Sequence, residues 1–205
     1  MATTADRADD RGDADLALDV GEHRRTGHFA YESGLHGDTW LDLDCLFVDQ
    51  RRLSTLGAVL AARLAPRRAE VVCGPALGGA LLGQWVAYHL AVPFVHVERT
   101  APTSTASVAY RIPDGLADVV HGRRVAIVDD AINAGSATLA TVAEVARLGG
   151  EATVAASIFL RVPGGPELLR DAGLACEYLV GVTFAVWPPA DCPLCRDGVP
   201  VVPTA

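Results

Sequence analysis

Two adjacent carboxylates, Asp129 and Asp130, stand directly before a run of small residues in the stretch RRVAIVDDAINAGSA, Arg123 to Ala137. Carboxylates accept hydrogen bonds from hydroxyls, whereas Asn133-Ala134-Gly135-Ser136-Ala137 leaves backbone N–H groups open to a closely approaching anion, with Asn133 and Ser136 as added side-chain donors. The acids would repel a bare phosphate. A ribose carrying a phosphate satisfies both halves, its diol on the acids and its 5′-phosphate in the loop. The simpler alternative is a helix cap on a tight turn, but a cap needs one acid, and two adjacent ionised acids repel each other.

Such a loop works only if it ends a strand and opens a helix, so that the orphan amides of the first helical turn face the ligand. The flanking pattern meets that need. VAIV before the acids is a continuous apolar run, and Leu139, Val142, Ala143 and Ala146 after them share one face of a helix from about Ser136 to Leu148, stopped by Gly149-Gly150. The same alternation recurs along the chain. A helix is expected from about Arg52 to Arg63, closed by Pro66, and another over ALLGQWVAYHL, while EVVCG, PFVHVE, ATVAASIFL and YLVGVTFAV read as strands. Apolar strands separated by amphipathic helices predict an α/β fold whose parallel sheet is covered on both faces and binds ligands at the strands' carboxyl ends. Before it, Leu41, Leu43, Cys45 and Phe47 alternate with polar or outward residues, the period of a half-buried strand, and SGLHGD supplies a hairpin turn.

Composition removes several classes of function. A formal charge of −8 argues against nucleic acid as the main partner, since a duplex binder presents a basic face. No apolar run approaches a membrane span and the N-terminus lacks the order of a signal peptide, so the expectation is a soluble, cytoplasmic protein. All 17 basic residues are arginine. A Walker loop needs lysine, and no Gly-x-Gly-x-x-Gly follows the first strand, so neither common nucleotide motif is present. Residues 1–22, rich in Asp, Ala and Arg, are expected to be a disordered tail, leaving one domain over 23–205. The five cysteines are scattered, as in a reducing compartment. DCPLC sets Cys192 and Cys195 at a metal-knuckle spacing, but zinc wants four ligands and no second pair is visible, so they read as thiols in a C-terminal turn bounded by Pro193. His89 and His96 read as structural residues of a helix face and a strand.

VAIVDDAINAGSA resembles the signature of type I phosphoribosyltransferases, which bind 5-phosphoribosyl 1-diphosphate. The similarity runs over about residues 27 to 200 and is strongest to bacterial orotate phosphoribosyltransferases: HFAYESGLHGD is similar to their N-terminal hairpin, CGPALGGALLG to their pyrophosphate loop, VPFVHVER to the strand before their lid, and DCPLCRDGVP to the tail of one branch. The resemblance implies a Rossmann-like core with a small hairpin hood. It also implies that Asp129 and Asp130 hold the ribose hydroxyls and that Ala131, Ile132, Asn133, Ala134, Gly135, Ser136 and Ala137 surround the 5′-phosphate. Gly74, Pro75, Ala76, Leu77, Gly78 and Arg99 would meet the pyrophosphate, and His36, Asn133 and Arg161 the base, with Arg161 against the orotate carboxylate. Further implications are Mg2+ held through substrate without direct protein ligands, and a homodimer. Two departures stand out: the lid RTAPTSTASVAYR, Arg99 to Arg111, is charged only at its ends, and Asn-Ala-Gly-Ser replaces the family's Thr-Thr-Gly-Gly. Two alternatives to orotate follow from these, transfer to another base or a regulator of the same fold that binds sugar phosphate.

Overall fold

A computed structural model of the protein describes residues 23–31, 33–100 and 109–203; the expected tail and most of the lid lie outside them. Among the described residues nine strands form two sheets. The smaller pairs β1 (Arg24–Ala30) with β2 (His36–Leu41) and β2 with β9 (Val186–Trp187), all antiparallel. The larger runs in the order β5-β4-β3-β6-β7-β8, built from β3 (Val71–Pro75), β4 (Phe94–Thr100), β5 (Ala109–Arg111), β6 (Arg124–Ile132), β7 (Glu151–Arg161) and β8 (Ala175–Val182). Every pairing in it is parallel except that of β4 with the edge strand β5.

Helix α1 (Gln50–Leu64) starts at Asp49, whose carboxylate accepts the Arg51 and Arg52 amides at 2.9 and 3.3 Å and so satisfies two orphan donors. Its Leu53, Leu56, Leu60 and Leu64 are fully buried, each stabilising the fold by about 1.5–3 kcal/mol relative to exposure. Helix α2 (Gly78–Leu90) packs beside it; Gly57 is required there, because a Cβ would stand 2.7 Å from Trp85 Cβ. These helices cover one sheet face with Ala126 and Val128, while Val125 and Ile127 pack into a second cluster on the other face with Val145 of α4 (Ser136–Arg147). Two-sided burial explains why the central strands read as unbroken apolar runs. The other α-helices among the described residues are short: α3 (Ala117–Val120), α5 (Gly165–Asp171) and α6 (Pro193–Arg196).

Two expectations are corrected. The strand expected to run to Phe47 ends at Leu41, and Asp44–Phe47 forms a 3-10 turn that buries Leu46 and exposes Cys45. YLVGVTFAV divides, its first part ending β8 and its last residue, Val186, opening β9 in the small sheet. His89 lies on the exposed face of α2, bonded to Ser54 Oγ at 3.1 Å, and His96 lies on β4 at 3.3 Å from Glu98, both in structural settings. Among the described residues no helix is long and apolar enough to cross a membrane.

Candidate active site

Strand β6 runs through the acid pair before turning into α4, so Asp129 and Asp130 occupy the carboxyl end of the central strand. Gly135 makes the turn at φ +73° and ψ 8°, a left-handed conformation that glycine adopts without strain. No side chain caps α4, which leaves its first amides directed at the cleft above them. That cleft is lined by Asp129, by Ala131 through Thr138, and by Tyr31, Ser33 and Trp40 from the hood. A second cleft adjoins it, walled by Pro75 to Gly78, Asp130, Tyr110 and Leu43; Trp40, Asp129, Ala131, Asn133 and Ala137 belong to both. A candidate anion cradle therefore lies on either side of one carboxylate pair.

The two cradles meet closely. A Cβ on Gly79 would lie 2.8 Å from Asp129 Oδ1, and one on Gly78 would lie 2.5 Å from Asp130 Cγ, so only glycine lets α2 begin against the acids. The Ala76–Leu77 peptide before it is cis. Asp129 is 7% exposed. Burial pushes the Asp130 carboxyl above its ordinary range, partly offset by hydrogen bonding to Asp129 and to backbone amides, while the charge of Asp44 adds to the rise. In the hood, Tyr31 donates its hydroxyl to the Thr39 carbonyl, and burial with the nearby Asp38 charge pushes its pKa up to about 12. Gly37 leaves the space that its ring occupies.

All nine residues from Asp129 to Ala137 line one cleft or both, as do Pro75, Ala76, Leu77 and Gly78. Four expected site residues do not. Gly74 is a packing residue, buried where a Cβ would strike the Gly79 carbonyl. Arg99 is exposed near the end of β4, and its cross-strand partner Tyr110 forms the wall instead. Arg161 reaches from the end of β7 and donates from Nε to the Asn133 carbonyl at 3.0 Å and from Nη1 to the Pro163 carbonyl at 2.9 Å, bracing the loop before α4. His36 lies outside both clefts, with Nδ1 at 2.8 Å from His28 Nε2 and 3.1 Å from Cys195 Sγ. His28 and His36 thus stand beside Cys192 and Cys195.

Residues that sequence reasoning passed over complete the cleft. Trp40 sits on the outward phase of β2, and an aromatic side chain on a strand's polar phase was its signal. Thr138, in the first turn of α4, is 1% exposed, and its hydroxyl has no hydrogen-bond partner among the described residues. A hydroxyl residue one turn past a small-residue loop is the cue there. Tyr31 and Ser33 carried none, because only the hood's folding brings them over α4.

No protein-family model matches the chain. The orotate phosphoribosyltransferase of Caldanaerobacter subterraneus subsp. tengcongensis is 30% identical over 176 residues, which span 86% of this chain and 87% of that protein. Among solved structures, orotate phosphoribosyltransferase from Mycobacterium tuberculosis superposes with a TM-score of 0.64 at 23% identity, covering 83% of this chain and 96% of that one. Adenine phosphoribosyltransferase from Thermoanaerobacter pseudethanolicus superposes nearly as well, with a TM-score of 0.62 at 22% identity, covering 80% and 98%. Those two likenesses establish the fold and leave the base open. The sequence relationship over most of both chains is more specific: this chain belongs to the orotate phosphoribosyltransferase family of type I phosphoribosyltransferases.

Proposed function

We propose that the protein transfers ribose 5-phosphate from 5-phosphoribosyl 1-diphosphate to orotate, forming orotidine 5′-monophosphate and releasing pyrophosphate. The observation that carries this reading is the place of Asp129, shared by two clefts, one over the small-residue loop and one over Pro75–Gly78. The spacing suits a ligand with phosphate groups at both ends and a diol between them. A ring nitrogen of the base would bond to the anomeric carbon as its bond to the diphosphate oxygen breaks. Positive charge then develops on the sugar beside Asp129 and Asp130, and amides of the Pro75–Gly78 loop receive the negative charge of the leaving group.

The donor set at the clefts suits magnesium, a hard cation that binds oxygen, keeps much of its water and attaches through substrate phosphates. Asp129 and Asp130 are the carboxylates at hand, and the ion would neutralise charge on the diphosphate. The active form in this reading is a cytoplasmic homodimer; free thiols suit a reducing compartment, and sedimentation checks the mass.

Orotate absorbance and pyrophosphate release, followed together with the sugar diphosphate and magnesium, test the reaction. Equal consumption of orotate and appearance of pyrophosphate is expected. A second reading, transfer to an uncharged base, has one observation in its favour: Arg161 is engaged with two carbonyls and lies off the cleft wall. Release with adenine or uracil but not orotate would establish that reading and remove orotate.

A further inference from the structure

The fold brings together four side chains that the proposed reaction does not use. His28 and His36 face each other across the β1–β2 hairpin, and the C-terminal turn delivers Cys192 and Cys195 onto them; one ligand atom from each, all four within 4.8 Å of one another, forms a compact cluster. The separations are 2.8 Å for His28 Nε2 to His36 Nδ1, 3.6 Å for each sulfur to His28 Nε2, and 3.1 Å for Cys195 Sγ to His36 Nδ1. A tetrahedron with Zn–N near 2.0–2.1 Å and Zn–S near 2.3 Å has edges of about 3.3–3.8 Å, so the histidine nitrogens, 2.8 Å apart, would move outward and the widest separation, up to 4.8 Å, would close by about 1 Å around a central ion.

The surroundings are those of a ligand set. His28 is 1% exposed and Cys192 2%. His28 Nδ1 lies 2.7 Å from the Val199 carbonyl, which can only accept, so Nδ1 carries the proton and the Nε2 lone pair points into the cluster. A ring fixed in this way by a backbone carbonyl is the usual outer support of a metal-binding histidine. The Val202 amide also donates to the His28 carbonyl at 2.7 Å, which draws the tail along β1 and holds the cysteines in place.

From this convergence we propose that His28, His36, Cys192 and Cys195 bind one Zn2+ in a closed structural site. Two thiolates with two imidazoles favour zinc, and four protein ligands leave no position for substrate. None of the four lines either cleft. The metal clasps the C-terminus to the hood, and the hairpin segment between its two histidine ligands carries Tyr31 and Ser33, which wall the cleft. The clasp therefore orders the hood from outside the reaction centre.

The test uses the full chain, kept reduced throughout. Metal analysis after gel filtration in zinc-supplemented buffer should find about one zinc per chain. Cobalt added to the metal-free protein should give the intense visible bands and sulfur-to-metal charge transfer of a tetrahedral thiolate site, and chelation should lower the melting temperature. Cys195→Ser, at an exposed position, should weaken zinc by more than the roughly 10- to 100-fold loss typical of outer-shell changes, and Cys192→Ser with Cys195→Ser should abolish the cobalt bands. Reduced wild-type protein that retains no zinc and gives only an octahedral cobalt spectrum overturns the proposal without reference to any variant. Unchanged zinc affinity in Cys195→Ser overturns it equally.

Discussion

Glu144 of α4 accepts the backbone N–H of Ile112, 32 residues earlier in the chain, at 3.0 Å, which fastens the helix that follows the small-residue loop to the residue just after β5. The carboxylate is 4% exposed. It also accepts Arg111 at 3.1 Å and Arg147 at 2.6 and 2.8 Å. Burial alone would raise its pKa, but the hydrogen bonds from Arg147 and the Ile112 amide, with both arginine charges, hold it below the ordinary carboxylate range. A lowered folded pKa contributes stability above the unfolded value of about 4.3, and that stability is lost as pH falls through the folded value. Glu144→Ala should cost about 1–3 kcal/mol, discounted because both arginines are half exposed, and lower the melting temperature by roughly 2–4 °C per kcal/mol. The deficit should shrink below pH 4, as thermal melts against pH would show.

Asp130 has the opposite linkage. Its pKa is raised, so its contribution to stability is full below the unfolded value of about 3.9 and declines as pH rises through the folded value. Asp130→Asn should therefore melt higher than wild type at pH 8, with the gain vanishing near pH 4, while binding of the sugar diphosphate falls sharply. A variant that melts lower and binds normally would show the acid to be a structural residue.

Thr138 offers a buried hydroxyl with no hydrogen-bond partner among the described residues, in the cleft over the small-residue loop. Thr138→Val removes an unsatisfied group at almost constant shape, so stability should hold or rise while affinity for the sugar diphosphate drops about fivefold, the worth of a hydrogen bond of about 1 kcal/mol. Calorimetry and a thermal melt on the same sample separate the two effects.

At Gly135 a Cβ would strike Leu168 Cδ2 as well as adopt a left-handed φ. Gly135→Val should lose sugar diphosphate binding and some stability together. Adding Leu168→Ala relieves the contact and should recover part of the melting temperature without restoring affinity; recovered affinity would place the phosphate elsewhere.

Arg161 decides the base. If it turns from the Asn133 and Pro163 carbonyls to grip a carboxylate, Arg161→Ala should reduce kcat/KM for orotate roughly 10- to 100-fold, as for a charge-assisted contact of about 1.5–3 kcal/mol. Affinity for the sugar diphosphate should change little. Equal losses for both substrates would mean that the arginine acts only by bracing the loop.

The α/β alternation, the parallel sheet and the strand–turn–helix that sets the acid pair beside the small-residue loop were legible because they rest on local chemistry. A fully buried strand must be apolar, an amphipathic helix must repeat near 3.6 residues, and a left-handed turn against a ligand selects glycine at Gly135. Contacts between distant segments leave no such trace. The alternation through Phe47 mimicked a strand because a 3-10 turn also buries spaced residues, here Leu43 and Leu46. His36 and Arg161 were expected at the base, but neighbours far away in sequence set what their polar atoms touch: His28 and Cys195 for one, the Asn133 carbonyl for the other. Cys192 and Cys195 showed half of a ligand set, and its other half stands more than 150 residues away on a hairpin, His28 lying 164 residues before Cys192. Spacing along the chain records what one element needs, whereas only the packing of the C-terminal turn onto the hood determines which side chains share a centre.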